Sequence, residues 1–231
     1  MQTLSNSDLN NNNHHPASPL KIIAIGDSLV YGYGDTKAGG WAERLKINLM
    51  NGEAGHVLYN LGIRGDRTEQ VQRRLQNEFN HRGEIRNKYP DVIILSVGVN
   101  DTPRLGHPQG RNLTNFELFQ KQLTQLLQDA KKLAPVFFVG MIPVDEKKMP
   151  FLDCLYFNLR DQYHYKEATK QICQQENVPY LDIFDLWLSR GDNWRKQQMS
   201  ADGLHPNVKG YSNLYQEITH WQELNSLIGV G

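Results

Sequence analysis

The sequence predicts an α/β protein in which a parallel β-sheet of about five strands lies between two layers of helices. Short apolar runs alternate along the chain with longer amphipathic stretches, as in strand–helix–strand units. The apolar runs are rich in Ile and Val and lack polar alternation, which is typical of strands covered on both faces. Neither a repeat nor a linker interrupts the series, so we expect one domain over residues 19–231.

Five short apolar runs are predicted to be the strands, because each is bounded by residues that favour turns. In chain order they are KIIAIG (21–26), HVLYNLG (56–62), DVIILSVG (91–98), VFFVGMI (136–142) and PYLDIF (179–184).

Five amphipathic stretches between and after these runs are predicted to be helices. In the third, apolar residues such as Phe119, Leu123 and Leu126 recur every three or four positions, so one face can pack on the sheet. The five are WAERLKINLM (41–50), TEQVQRRLQNEF (68–79), NFELFQKQLTQLLQDAKKL (115–133), LRDQYHYKEATKQICQQE (159–176) and NVKGYSNLYQEITHWQEL (207–224).

Composition argues against several classes of partner. The chain has 25 basic and 25 acidic residues among 231, so it has no net positive field to attract nucleic acid or an anionic membrane. Residues 1–18 are rich in Asn and Ser and lack the apolar core of a signal peptide, so we expect a disordered polar tail and a cytoplasmic protein without stable membrane insertion. Cys154 and Cys173 are expected to be two buried thiols. Oligomeric state is left open.

A serine stands where chemistry is expected in such a fold. Ligands of open α/β sheets bind beyond the carboxyl ends of the strands, where the crossover direction reverses. The predicted strand 21–26 ends directly before Asp27 and Ser28. A serine nucleophile also needs a base, an acid that orients the base, and donors for the oxyanion.

The remaining parts of such a site occur in other loops. In ADGLHPN, Asp202 can accept a hydrogen bond from one imidazole nitrogen of His205 while the other nitrogen faces Ser28, so the three residues can form a catalytic triad. The loops YNLGIRGDRT and SVGVND also follow predicted strands. Their glycine N–H groups and the Asn100 amide can supply an oxyanion hole.

Four blocks in this order resemble the GDSL esterases and lipases, also called SGNH hydrolases. The blocks are GDSL (26–29), NLGIRGDRT (60–68), GVND (98–101) and DGLHPN (202–207), and together they span nearly the whole chain after the tail. The resemblance implies a flavodoxin-like fold and hydrolysis of esters or thioesters without a metal or cofactor. The expected partner is therefore a small-molecule ester.

Carried over block by block, the resemblance implies specific roles. Ser28 would be the nucleophile, His205 the base and Asp202 its orienting acid. The oxyanion donors would be the backbone N–H groups of Ser28 and Gly65 and the side chain of Asn100. Gly62 is an alternative to Gly65. Arg64 and Arg67 replace small polar residues of the family pattern, and either guanidinium could reach the oxyanion hole, favour an acidic substrate or point into solvent. Arg64 is the candidate substrate or oxyanion contact.

Other interpretations of these residues stay open at this stage. Ser28 could cap a helix, Asn100 could be an ordinary turn former, and Asp27 and Asp101 are expected to brace loops. Among enzymes, a carbohydrate acetylesterase of the same fold is the alternative to a general carboxylesterase. Outside the enzymes, the same loops could belong to a non-catalytic ligand-binding module. The sequence holds no HExxH pair, GxGxxG or GxxxxGK motif, so neither a metal nor a nucleotide cofactor is expected.

Overall fold

The computed structural model describes residues 19–83 and 89–229. Its main sheet has five parallel strands in the spatial order β2–β1–β3–β5–β7, which confirms the predicted sheet, and the polar tail expected at residues 1–18 lies outside the described residues. Strands β4 and β6 form a separate antiparallel pair. The strand bounds are β1 Lys21–Gly26, β2 Val57–Gly62, β3 Val92–Ser96, β4 Arg104–Leu105, β5 Val136–Val139, β6 Leu155–Tyr156 and β7 Tyr180–Leu181.

The five predicted helices are present, the last of them divided in two, and the described chain has three further α-helices. The bounds are α1 Ser28–Tyr31, α2 Gly40–Asn51, α3 Thr68–Asn80, α4 Phe116–Lys131, α5 Leu159–Gln175, α6 Ile183–Ser189, α7 Asp192–Lys196, α8 Val208–Thr219 and α9 Gln222–Ile228. The last predicted helix is two helices, because the chain leaves helical geometry before Trp221, which precedes α9.

The predicted strand at 179–184 was partly wrong. Only Tyr180 and Leu181 pair with β5, and helix α6 begins two residues later. Asp182 causes the change, because its side chain accepts a hydrogen bond from the N–H of Asp185 and so caps the helix. A short apolar run does not distinguish a strand from the first turn of a buried helix.

The helices cover both faces of the sheet, as predicted. Helices α3, α4 and α5 pack side by side in one layer, whereas α2 packs against α8 in the other. From β1 the chain moves to β2 at one edge of the sheet, and from β3 it moves through β5 to β7 at the other edge. Because parallel crossovers are right-handed, the helices that connect strands in these two directions lie on opposite faces of the sheet. The crossover direction therefore reverses between β1 and β3, where a ligand site is expected.

The strand register places three loops at the same height. Gly26, the last residue of β1, lies level with Gly62 of β2 and with Ser96 of β3. The loops that follow these three strands therefore leave the sheet side by side at its carboxyl edge.

The core is built from the apolar strands and from one face of each main helix. Trp41, Phe119, Phe138 and Tyr211 are fully buried, and Phe119 belongs to the predicted stripe of α4. Both cysteines are unpaired. The expectation that both are buried was wrong for Cys154, which is exposed in the turn directly before β6. Among the described residues, no helix is long and apolar enough to cross a membrane.

Candidate active site

Ser28 begins helix α1 at the end of the central strand β1. The capping role is taken by Asp27, whose Oδ1 accepts a hydrogen bond from the N–H of Leu29 at 2.9 Å. The alternative that Ser28 only caps a helix is therefore wrong, and its hydroxyl is available for another contact. As the first helical residue, it also has a backbone N–H without an acceptor inside the helix.

The structure brings Ser28, His205 and Asp202 together. Ser28 Oγ lies 2.9 Å from His205 Nε2, although the two residues are 177 positions apart in the chain. His205 Nδ1 lies 2.7 Å from Oδ2 of Asp202. The other oxygen of Asp202 accepts hydrogen bonds from the backbone N–H groups of Leu204 and His205, at 2.9 and 3.0 Å. The three side chains form one continuous chain of contacts.

The hydrogen-bonding partners determine where the imidazole proton lies. Burial acts to raise the pKa of Asp202, but the His205 ring and the backbone N–H groups of His205 and Leu204 stabilise the ionised form, and the net result is a lowered pKa. An ionised carboxylate can only accept hydrogen bonds, so the proton of neutral His205 lies on Nδ1. Nε2 is then free to accept the proton of Ser28 Oγ.

Two aromatic rings hold the imidazole in place, and sequence reasoning missed both. The Tyr33 ring makes an edge contact with His205 at a centroid distance of 4.7 Å, and the Phe151 ring makes another at 5.9 Å. Tyr33 follows α1 by two residues, but no local pattern indicates that Phe151 lies beside a loop some fifty residues further on. His205 is 3% exposed as a result of this enclosure.

The two candidate glycines occupy different environments. The N–H of Gly62 donates to Asn60 Oδ1 at 3.0 Å, and a Cβ on Gly62 would lie 2.1 Å from the backbone nitrogen of Tyr31. Gly62 therefore allows α1 to pack closely on β2. Gly65 is exposed, has a φ of +83°, and its N–H has no partner among the described residues. Of the two glycines, only Gly65 presents a backbone N–H without an acceptor in the described chain.

Asn100 is anchored through one hydrogen of its side-chain amide. It lies in a turn of 3₁₀ helix after β3, and its Nδ2 donates to the carbonyl of Asp66 at 3.0 Å. The second amide hydrogen has no partner among residues 19–83 and 89–229. This contact ties the loop after β3 to the loop after β2 that carries Gly65.

Two buried aspartates beside the site have bracing contacts. Asp101 accepts hydrogen bonds from Thr68 N, Thr68 Oγ1 and Thr114 Oγ1, at 3.0, 2.9 and 2.6 Å, so it joins three loops. Burial raises its pKa. Asp27 is also fully buried, and burial, with smaller contributions from the Asp101 and Asp66 carboxylates, raises its pKa to about 7.

Three arginines lie near these loops, and their pairing differs. Arg74, which sequence reasoning missed, contacts Asp66 Oδ2 at 2.7 Å and the carbonyl of Gly26 at 2.8 Å. Arg67 contacts Thr114 Oγ1 at 3.4 Å and Glu69 at 3.9 Å. The Arg64 guanidinium lies over the Tyr33 ring, 3.7 Å from its centre, and pairs with no carboxylate of the described chain.

Another group of acidic side chains lies away from this edge. Glu167, Asp182 and Asp185 place carboxylate oxygens close enough together to share a cation. The fully buried ammonium group of Lys166 already contacts all three, at 2.5, 3.3 and 2.7 Å. The group, which we call the Lys166 cluster, therefore already holds a cation of the protein itself between its carboxylates.

Comparison with known proteins shows the family of the chain. Residues 24–212 match the model of the GDSL-like lipase/acylhydrolase family. The chain is 22% identical over 211 residues to the uncharacterised protein YpmR of Bacillus subtilis, covering 86% of this chain and 80% of that protein. It is 24% identical over 139 residues to an isoamyl acetate-hydrolysing esterase of Saccharomyces cerevisiae, covering 57% of each.

A solved structure shows the same fold. The lipase/acylhydrolase from Enterococcus faecalis superposes with a TM-score of 0.70 at 21% sequence identity, covering 91% of this chain and 96% of that one. The chain therefore belongs to the GDSL-like lipase/acylhydrolase family and is a hydrolase of the SGNH fold. The family resemblance inferred from the four sequence blocks is confirmed.

Proposed function

We propose that this protein is a serine esterase that hydrolyses carboxylic esters or thioesters through an acyl-enzyme. One observation carries the proposal: Asp202, His205 and Ser28 are linked by contacts of 2.7 and 2.9 Å at the carboxyl edge of the sheet. A serine hydroxyl needs such a base and such an orienting carboxylate to act as a nucleophile at neutral pH. Residues 19–231 form the catalytic domain in this proposal.

In the first half-reaction, Ser28 Oγ attacks the ester carbonyl and its proton passes to His205 Nε2. The imidazolium that forms is stabilised by Asp202 and then donates the proton to the departing alkoxide or thiolate. In the second half-reaction, His205 takes a proton from water, the resulting hydroxide attacks the acyl-enzyme, and the acid leaves. Ser28 is restored with its proton.

Three hydrogen-bond donors are proposed to hold the oxyanion. They are the backbone N–H groups of Ser28 and Gly65 and the Nδ2 group of Asn100. Each has a hydrogen without an acceptor in the described part of the chain, whereas the N–H of Gly62 is engaged by Asn60. The positive φ of Gly65 supports its assignment, because a residue with a side chain adopts this backbone geometry less readily.

A fluorophosphonate probe tests the proposal directly. The probe should form a covalent adduct on Ser28 of the wild-type protein, located by mass spectrometry of the digested chain. Ser28→Ala should abolish both labelling and turnover of a short p-nitrophenyl ester while circular dichroism shows a retained fold. Ser189→Ala is the matched control, because Ser189 is exposed on α6 and bonds only to the carbonyl of Leu186.

The outcome also separates the enzyme from a non-catalytic module. Absence of labelling on folded protein, together with binding of phosphate or a nucleotide, would contradict the esterase. Acyl preference is measured with esters from acetyl to palmitoyl, with acetylated sugars and with a thioester. Selective turnover of acetylated sugars would replace the general esterase by a carbohydrate acetylesterase.

A further inference from the structure

We infer that Arg64 is a specificity-determining residue that selects esters carrying an anionic group near the scissile bond. This inference rests on the proposed esterase function and names its substrate class. It starts from a contrast in pairing among three arginines near the loop after β2: Arg64 and Arg67 lie in that loop, and Arg74 lies in α3. Arg67 and Arg74 each contact a carboxylate, but Arg64 contacts none in the described chain.

The position of Arg64 places its charge beside the reacting groups. Since Arg64 Cζ lies 3.7 Å from the centre of the Tyr33 ring, and that centre lies 4.7 Å from the centre of the His205 ring, the guanidinium carbon is at most 8.4 Å from the imidazole centre. Arg64 also directly precedes Gly65, the proposed oxyanion donor. A group attached to the ester within a few bonds of the carbonyl can therefore reach the guanidinium.

The Tyr33 ring restricts the guanidinium before substrate binds. A guanidinium over an aromatic face is attracted by the ring and loses part of its rotational freedom. Its N–H donors lie in the plane of the group, so stacking leaves the edge free to form paired hydrogen bonds with a carboxylate or phosphate. Because Arg64 is partly ordered before substrate binds, it loses less conformational entropy on binding than a freely rotating side chain would lose.

The chemistry of the site makes an anion the matching ligand. Arg64 is exposed, and hydrogen bonds to a charged partner are stronger than neutral ones. The acid produced by hydrolysis of such an ester carries an additional negative charge when the anionic group belongs to the acyl part. We assign the ligand as the carboxylate of a half-ester, on either its acyl or its alcohol side.

Paired substrates test the inference. The acyl arm compares monoethyl succinate, glutarate and adipate with ethyl butanoate, pentanoate and hexanoate, which have the same acyl lengths without the carboxylate. The alcohol arm compares the butanoate ester of glycolic acid with ethyl butanoate. One of the two arms should show a preference of the wild type for the charged ester. In that arm we expect Arg64→Gln to lower kcat/KM for the charged esters about fivefold, mainly by raising KM, and to leave kcat/KM for the neutral esters unchanged.

Two further variants and one condition make the test specific. Arg64→Lys keeps the charge but not the paired geometry, so it should retain part of the preference. Arg73→Gln removes an equal charge from an exposed residue of α3 that pairs with Glu69, and it should match the wild type. Added salt should reduce the preference, because an exposed guanidinium is screened.

Results that would contradict the role of Arg64 differ from results that would contradict the proposed esterase. An equal loss on charged and neutral esters after Arg64→Gln would show that Arg64 only supports Tyr33, and unchanged rates on both would show no role. Either result overturns the inference while Ser28-dependent turnover of neutral esters remains. Turnover that survives Ser28→Ala would instead remove the proposed function.

Discussion

The active-site loops and the Lys166 cluster both gather charged or polar side chains in close contact, yet their chemistry differs. At the sheet edge, Ser28 contacts a base that a carboxylate orients, and the backbone N–H groups of Ser28 and Gly65 and one amide hydrogen of Asn100 have no acceptor in the described chain. In the Lys166 cluster, one ammonium group contacts three carboxylates. Unsatisfied donors next to a nucleophile, rather than a concentration of charge, distinguish the proposed reaction site from the Lys166 cluster.

After the loss of Ser28 itself, the largest expected effect comes from the carboxylate behind the base. Asp202→Asn should lower kcat on the order of 1,000-fold, equivalent to about 4 kcal/mol, because an amide facing Nδ1 no longer holds the imidazole in the required tautomer. Substrate KM should change little. Steady-state kinetics on a p-nitrophenyl ester measures both quantities. A rate within threefold of wild type would reduce Asp202 to a turn former.

The second effect concerns an unsatisfied donor. Asn100→Ala should reduce kcat about 100-fold, or roughly 2.7 kcal/mol, because one oxyanion donor is lost. Asn115→Ala is the control, since this residue caps α4 through the N–H groups of Glu117 and Leu118 and its loss should affect stability alone. If both variants lost activity in proportion to their stability, Asn100 would only brace its loop.

The third effect concerns the Lys166 cluster, where charged groups are paired with each other. Lys166→Met leaves three carboxylates without their common cation and should lower the free energy of unfolding by about 2 kcal/mol. The carboxylates are partly exposed to water, so the loss is smaller than for a fully buried pair. Urea denaturation measures it. Esterase turnover of the folded variant should equal that of the wild type, and a fall comparable with that of Asn100→Ala would link the cluster to catalysis.

The last effect, which is the smallest per pH unit, is a pH dependence of stability that belongs to Asp27. Its pKa is about 7 in the folded protein, against 3.8 for an ordinary Asp. Between these values the folded state keeps a proton that the unfolded state has released, so the free energy of unfolding falls as pH rises, by at most about 1.4 kcal/mol per pH unit. Asp27→Asn should flatten this slope.

Denaturation of wild type and Asp27→Asn at a series of pH values from 5 to 8 measures the difference. The variant keeps an oxygen that can accept the N–H of Leu29, so the cap survives. Asp129→Asn is the control: hydrogen bonds from Lys132, Gln125 and Gln72 outweigh the opposing effect of burial and lower the pKa of Asp129 below its ordinary 3.8. Its contribution to the slope therefore lies at lower pH, and the profile of this variant between pH 5 and 8 should be parallel to that of the wild type. Parallel profiles for wild type and Asp27→Asn would mean that Asp27 is ionised in the folded protein.

Local patterns in the sequence predicted most of the fold and the residues of the proposed triad. Strand and helix assignments follow from hydrophobic periodicity, which is a property of neighbouring residues. The blocks around Ser28, Gly65, Asn100 and His205 stand directly after strands or before a helix, so their place at one edge could be inferred from the order of elements. The missed helix α6 shows where this reasoning fails, because a short apolar run fits either element.

The tertiary structure decided which side chains meet across long separations in the chain. It placed Tyr33 and Phe151 against His205, gave the cap of α1 to Asp27 rather than Ser28, and left Gly65 with a free N–H while Gly62 packed against α1. The reason is physical. Contacts of this kind depend on strand order, register and the packing of whole layers, and these are set by the summed burial of many distant residues rather than by any single segment.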